Sequence, residues 1–590
     1  MQQNPLEFYL AEKVRFEQTS AKLKKQLTLS STIRLLAFLA ICFGLYLTFG
    51  NIKAMIAIGV FGFLGFLYLV SRHSDLQYKK DVISKLVEIN TTEINVLNGD
   101  YLSLDTGSEF IDPTHFYSYD IDLFGRGSFF QYINRTATKE GKKELANTLT
   151  ENEISEIKLK QEAIDELANK RVWSQHFTAI ASLVNVQHPA KDIINWIHHY
   201  KPVFSSILTV LPTLFSVLSL VLIALVGFDL LPFNIVLVWF FIGLGISMYY
   251  VKRVNAIYQN ADNAKDTFKQ YHKLLNEIET TTFSSELLKE KQTSIQLETK
   301  KASVIFSSFS KILDALDQRN NLLIALFGNA FFLRDTQQAY KVEQWIKTYA
   351  ANVENWFAVI AFFDAQNSLG NVRFNHPSYT FPKIKQNEQV IAAKNLGHCL
   401  LKEKQRICND YTIDNQQFLI ITGANMAGKS TFLRTVSLSI VMANIGLPVC
   451  ATSFEYSPIK LITSMRTSDS LADDESYFFS ELKRLKFIVE EIKTENYFII
   501  LDEILKGTNS TDKAIGSKKF VQKLVASNST GIIATHDLSL CEIEKELTQI
   551  QNYYFDAEII NDELHFDYKL KDGVCKNMNA SFLLKKMEIV

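Results

Sequence analysis

The sequence predicts a two-part molecule: an α/β domain of the P-loop class at the C-terminus, preceded by an all-α region carrying two inserted transmembrane helical hairpins. Three observations predict it. An apolar run at Phe418–Thr422 leads directly into G-x-x-x-x-G-K-S and then into a helical stretch. Short apolar runs alternate with helical texture after about residue 375, as in an α/β domain. Upstream, four long apolar segments occur as two close pairs.

A chain of 590 residues is too long for one hydrophobic core, so several domains are expected. Lys plus Arg number 62 against 63 for Asp plus Glu, a formal charge of -1, which lacks the basic excess of a dedicated phosphate-backbone binder. The six cysteines (Cys42, Cys399, Cys408, Cys450, Cys541, Cys575) form no C-x-x-C pair. That scatter argues against a zinc site and a disulfide framework, and suits a reducing compartment.

The first apolar pair is Ile33–Gly50 and Ala54–Val70, with Arg34 and Lys53 as its charges. Each segment is about 26 Å long as helix, close to a bilayer's hydrocarbon thickness of about 30 Å. The second pair, Ile207–Phe228 and Leu231–Val251, is separated by the turn chemistry of Gly227, Asp229 and Pro232. Four segments apolar on every face read as membrane spans rather than core helices. The charged stretch before Ile33 and the lack of a small-residue cleavage pattern argue against a signal peptide. Lys22, Lys24, Lys25, Arg72, Lys79, Lys80, Lys252 and Arg253 flank the hairpins, whereas their turns carry only Lys53 and Asp229. The positive-inside rule therefore keeps the termini and the intervening segments in the cytoplasm of a bacterial-type cytoplasmic membrane, multi-pass.

Between the hairpins, Asp75–Asn98 is helical in pattern, Asp112–Asp122 is turn-rich around Pro113, and Lys139–His199 is a polar helix-rich region. After the second hairpin, Arg253–Thr280 and Ser284–Ala315 read as long helices, and helix continues over Asp317–Phe363 with Trp345 and Trp356 as packing residues.

The loop Gly423-Ala424-Asn425-Met426-Ala427-Gly428-Lys429-Ser430-Thr431 has the residues a triphosphate needs. Its glycines let backbone N–H groups face the phosphates, and the following helix N-terminus adds partial positive charge. Lys429 reaches the β and γ phosphates and Ser430 binds Mg²⁺. The strand Tyr497–Leu501 ends in Asp502, placed to hold Mg²⁺, and Glu503, placed to act as general base on the attacking water. A third apolar run ends at Thr535-His536-Asp537, where His536 would sense the γ-phosphate.

At these residues the chain resembles the MutS family, the ABC-type ATPases of DNA mismatch repair. The resemblance rests on Thr422–Arg434 with its Asn425-Met426 pair, on Leu501–Asn509, and on the signature-like Ser468–Glu481. A weaker likeness over Asp122–Leu145, including Asn134–Thr138, suggests the start of the family's helical lever, where Thr138 could equally be an ordinary helix cap. The resemblance implies a homodimer with two composite sites, in which Ser476 acts in trans and Thr508 and Asn509 cross the interface. Departures accompany it. No mismatch-reading domain fits before the first hairpin, the second hairpin interrupts the lever, and His398-Cys399 replaces the family's His-Pro. Glu475 stands where a basic or amide residue is commoner.

The expected organisation is an N-terminal cytoplasmic helix (1–32), hairpin 1 (33–70), the lever's first part (71–206), hairpin 2 (207–251), the lever's second part (252–374) and the MutS-like ABC ATPase domain (375–590). The expected function is Mg²⁺-dependent ATP hydrolysis by a membrane-anchored dimer that drives lever movement, with DNA as a candidate client. Alternatives are a non-DNA membrane or protein client, or an energised transporter, against which stands the near absence from the hairpins of polar or ionisable residues, such as Asn234 and Thr209, that could line a path.

Overall fold

The computed structural model describes residues 4–183, 189–298, 300–385, 389–466, 477–506, 509–560 and 563–575. Asn4 caps α1 (Pro5–Leu47) by accepting from Leu6 N, and Pro5 occupies the first turn, where its missing N–H leaves no helix bond unmade. Asn51 likewise caps α2 (Ile52–Leu97). α1 runs unbroken from a polar stretch into an apolar one, and α2 from an apolar stretch into a polar one. They lie close together, since a Cβ on Gly62 would come 2.8 Å from Ile41 Cγ1.

Turns and irregular chain then lead to α3 (Phe129–Ile133), α4 (Lys139–Thr150), α5 (Ile157–Asn169), α6 (Arg171–Ala181) and α7 (Ala190–His198). Next come α8 (Leu211–Gly227), α9 (Asn234–Thr280), α10 (Glu286–Ser294), α11 (Ala302–Asp317), α12 (Leu322–Phe332) and α13 (Arg334–Asn375). Three details differ from expectation. The third apolar segment becomes α-helical only at Leu211, because Pro212 is tolerated in a first turn but not in a helix interior. Ser284–Ala315 is two helices, with Gln296 and Lys301 bridged between them. Asp317–Phe363 is broken twice: Asn321 accepts from the N–H groups of Leu323 and Ile324 to start α12, and Leu333 ends it at φ 48°.

Among the described residues, α1, α2 and the stretch Phe233–Asp262 are long and apolar enough to cross a membrane, while α8 and α12 are shorter apolar helices. Their apolar side chains are open: Phe43, Leu47, Phe61, Leu220 and Phe241 are all exposed.

Two buried polar clusters tie the helical region together. Glu93 on α2 accepts from Arg135 Nε (2.6 Å), Asn371 Nδ2 (3.0 Å) and Asn375 Nδ2 (2.9 Å). Tyr9 on α1 donates to Asn375 Oδ1 (2.7 Å) and accepts from Arg171 Nε on α6 (3.1 Å). Burial alone would raise the Glu93 carboxyl, but Arg135, Arg171 and the two amides outweigh it and hold it below the usual carboxylate range. In the second cluster Asp364 on α13 accepts from Ala137 N, Thr138 N and Thr138 Oγ1. Thr138 in turn caps α4 by accepting from Gly141 N at 2.9 Å. A Cβ on Gly141 would sit 2.2 Å from Asp364 Oδ2, so only glycine lets α13 come this near.

A mostly helical N-terminal region is thus followed by an α/β domain, as the sequence predicts. A four-stranded sheet, ordered β1-β5-β2-β3, contains β1 (Lys383–Ile384), β2 (Gln389–Leu396), β3 (Asn409–Asp414) and β5 (Ser453–Tyr456). The six-stranded sheet contains β4 (Phe418–Gly423), β6 (Lys460–Ser464), β7 (Tyr497–Asp502), β8 (Thr530–Ala534), β9 (Ile550–Phe555) and β12 (Leu570–Asp572). Its order is β12-β9-β4-β8-β7-β6, parallel except for β12. A small hairpin joins β10 (Glu558–Ile560) to β11 (Glu563–His565). Helices α14 (Lys429–Asn444), α15 (Tyr477–Glu491) and α16 (Ser510–Val525) complete the domain.

Replacing Glu93 by Ala would strand two arginines in the helical core. Breaking one side of such a buried pair costs about 3–5 kcal/mol. Chemical denaturation of the Glu93→Ala protein should show a loss of that order, and Glu93→Gln, which keeps amide partners for Asn371 and Asn375, a smaller one.

Candidate functional site

Strand β4 is buried at all six positions and sits between β8 and β9. Parallel strands end on one edge of a sheet, so the tips of β4, β8 and β7 meet there. Gly423 leaves β4 at φ 144°, with an added Cβ 2.5 Å from Phe555 O, and no side chain fits that approach. Met426 (φ 68°) and Gly428 (φ 108°) continue the curl, and α14 starts at Lys429. In the loop Ala427 is buried and packs inward, whereas Asn425 and Met426 are exposed.

Lys429 Nζ donates to Gly423 O (2.7 Å) and Ala424 O (3.0 Å) and lies 3.3 Å from His536 Nε2. Burial lowers its pKa, opposed by the charges of Asp502 and Glu503. Ser430 Oγ donates to Asp502 Oδ2 at 2.7 Å, joining the loop to the tip of β7. Glu503 turns at φ 55°, held by its N–H on Ala534 O (2.9 Å), and its Oε1 lies 2.9 Å from His536 Nε2. The hydrogen bond from His536 is the main reason that its carboxyl is pulled down to about 2, with Lys506 and Lys513 adding to the effect. Lys429, Ser430, Asp502, Glu503 and His536 therefore converge on one cleft of about 610 Å³, which Ala424, Asn425, Met426, Gly428 and Thr431 also line. Ser476, Glu475 and Thr508 lie outside the described residues. Asn509 caps α16, accepting from Asp512 N at 2.9 Å.

Several contacts of the site carry no sequence signal of their own. Glu481 is buried on α15 and accepts from Lys506 N (3.0 Å), so the helix after residues 467–476 is fastened to the turn that follows Glu503. Tyr568 packs its ring over Gly428, and its segment is anchored by Asn409, which donates to Tyr568 O (3.1 Å) and accepts from Leu570 N (2.9 Å). His398, Ile407 and Asn409 line the far end of the cleft, while Arg406 turns away to Leu401 O (2.7 Å). Burial brings His398 down to about 4, so it faces the cleft as a neutral ring near neutral pH. Asp122, from the segment before α3, pairs with Arg434 on α14 (3.3 Å) and Arg466 (2.7 Å), joining the helical region to the loop's own helix.

The oxygen donors Ser430 and Asp502 suit Mg²⁺, a hard cation that keeps water and phosphate oxygens as its other ligands. Among the described residues no cluster of three His, Cys, Asp or Glu side chains could hold a metal alone.

Residues 419–586 match the family model for MutS domain V. The chain is 26% identical over 267 residues to the DNA mismatch repair protein MutS of Staphylococcus saprophyticus, covering 44% of this chain and 30% of that protein. It is 31% identical over 215 residues to human MutS protein homolog 4, covering 34% and 22%. The MutS of Methanococcoides burtonii is 30% identical over 237 residues, covering 39% and 26%. The chain thus spans less than a third of the length of the relatives it matches.

The Glu503–His536 contact sets a pH dependence. Because the folded pKa of Glu503 is depressed, to about 2 from 4.5, the contact's contribution to stability is complete above about 4.5 and is lost as pH falls toward 2. The stability difference between the native protein and His536→Ala should therefore be largest above pH 4.5 and shrink below it, as read from urea unfolding across that range.

Proposed function

We propose that this chain, which belongs to the MutS family through its C-terminal domain, is a membrane-anchored, dimeric ATPase that hydrolyses Mg-ATP at the joined tips of β4, β7 and β8. The carrying observation is the gathering of Lys429, Ser430, Asp502, Glu503 and His536 around one cleft. Family membership supports ATP hydrolysis with Mg²⁺, and the geometry supplies the parts.

The backbone N–H groups of residues 424–430 and the N-terminus of α14 bind the phosphates. Lys429, already at the loop's centre, exchanges its two carbonyl acceptors for β and γ phosphate oxygens. Ser430 and Asp502 hold Mg²⁺, which when bound neutralises charge building on the β and γ oxygens. Glu503 orients the attacking water and accepts its proton. Tied to His536, that carboxylate is a weak base; it becomes a stronger one when the γ-phosphate draws His536 Nε2 away, so the Glu503–His536 bond is broken only with substrate in place. Beyond Gly428, Tyr568, Ile407 and His398 provide the walls for ribose and base.

In the dimer, Ser476 of the partner subunit completes each nucleotide site, and closure of the two α/β domains moves the helical lever through Asp122 and α13. The exposed apolar faces of α1, α2, α8 and α9 anchor the chain in a bacterial-type cytoplasmic membrane as four spans, leaving the α/β domain in the cytoplasm. The mismatch-repair names of the matched relatives support DNA as client, with lever movement as the output.

Glu503→Gln should lower ATP turnover about 10²–10⁴-fold, the usual worth of a general base. Its affinity for Mg-ATP should change little, whereas Lys429→Ala should lose binding itself. Turnover of the purified full chain by phosphate release, beside equilibrium nucleotide binding, separates these effects. A Glu503→Gln protein that turns over like the native one would remove the proposal.

A further inference from the structure

We infer that α12 is a re-entrant membrane helix whose open face lies in lipid hydrocarbon, a fifth membrane element beside the four spans. The inference rests on reading α8 and α9 as spans and adds an element that their sequence pairing does not include. The segment, Leu-Leu-Ile-Ala-Leu-Phe-Gly-Asn-Ala-Phe-Phe, carries no charge. Its 11 residues extend about 16 Å, roughly half of a hydrocarbon layer, so it can enter but not cross.

One face of α12 is packed and the other is open. On the packed face, Ala330 is fully buried, and its carbonyl lies where a Cβ on Gly243 would come within 2.0 Å, so only glycine lets α9 approach. Phe327 and Phe331 meet Phe240 edge-on at 6.2 and 5.7 Å between centroids, and Ser247 Oγ donates to Asn329 O at 3.3 Å. These contacts fall between Phe240 and Ser247, in the middle of the apolar half of α9. On the other face Leu322 is 79% exposed, with Leu323 and Leu326 open beside it. A core helix does not leave such a face bare. Val238 and Phe241 of α9 are open as well, so both helices present apolar surface from one depth range, and whatever solvates one reaches the other.

The charged residues that flank α12 are partnered within the protein. Before it, Arg319 reaches Asn255 Oδ1 (2.8 Å) and packs over Tyr258, beyond Lys252 and Arg253 at the polar end of the α9 span. After it, Leu333 reverses the chain, Asp335 pairs back to Arg319 at 3.5 Å, and Arg334 donates to Gln318. The two flanks are thereby clipped together, and their charges are matched with one another. The helix satisfies its own backbone groups, the condition for any segment in hydrocarbon. Because α13 begins one residue later and runs 42 residues to Asn375, a shift of the lever would tilt an element seated in lipid.

The test places an environment-sensitive fluorescent amino acid at position 326, at position 238 on α9, or at position 493 in a surface turn of the α/β domain. The full chain is reconstituted in phosphatidylethanolamine and phosphatidylglycerol vesicles with or without bromine on the acyl chains. Positions 326 and 238 should lose most of their emission to brominated chains and resist aqueous iodide, and position 493 should do the reverse. Quenching by bromine at 238 but not at 326 overturns the inference and leaves the spans standing, whether 326 is open to iodide or shielded from both quenchers by a second copy or another protein. Absence of bromine quenching at both positions removes the membrane reading and this inference with it.

Discussion

Parallel pairing of β4 with β8, and of β8 with β7, is the constraint on which the site depends. It delivers a glycine loop, an acid pair and a histidine to one edge from stretches of chain that are each separated by about seventy residues or fewer along the sequence of strands. Each strand has an apolar, buried middle and leads into polar residues at its tip, so burial of the strand positions the chemistry. The positive φ of Gly423, Gly428 and Glu503 shows where the backbone is bent to complete the arrangement. The charged groups satisfy one another: Lys429 on carbonyls, Ser430 on Asp502, Glu503 on His536. The proposed triphosphate would recruit a group from each of these contacts.

The helical region is fastened to that edge by polar contacts rather than by apolar packing alone. Asp122 joins Arg434 and Arg466, and Asp120 accepts from Arg466 N and Thr463 Oγ1. Arg484 on α15 donates to the carbonyls of His115 and Phe116. Behind this seam, the Glu93 and Asp364 clusters fix α1, α2, α4 and α6 onto α13. Charge-assisted hydrogen bonds add geometric specificity, so these contacts set the register of the 112–122 segment on α14 and α15.

What could be read from sequence divides along locality. The loop 423–431 and the strand ending in Asp502 and Glu503 were legible because their chemistry is carried by adjacent residues. The alternation of α and β elements after residue 375 was legible for the same reason. The bond between Glu503 and His536, the ring of Tyr568 over Gly428 and the Glu481 anchor were not, because each joins residues whose meeting depends on the folded sheet. Thr138 was ambiguous alone; in the fold it caps α4 by accepting from Gly141 N while it donates to Asp364, more than two hundred residues away. The break at Leu333 left no trace, since leucine carries no preference for a left-handed backbone, and an uncharged stretch inside Asp317–Phe363 read as continuous helix.

The central claim is that these strand tips hold the triphosphate of ATP, and the most direct measurement is a structure of the full chain with Mg²⁺ and a non-hydrolysable ATP analogue. The account predicts Lys429 Nζ within hydrogen-bonding distance of the β and γ phosphates, Ser430 on the metal, and His536 turned from Glu503 to the γ-phosphate. Nucleotide bound elsewhere, or Lys429 still on the carbonyls of Gly423 and Ala424 with the cleft empty, would contradict it.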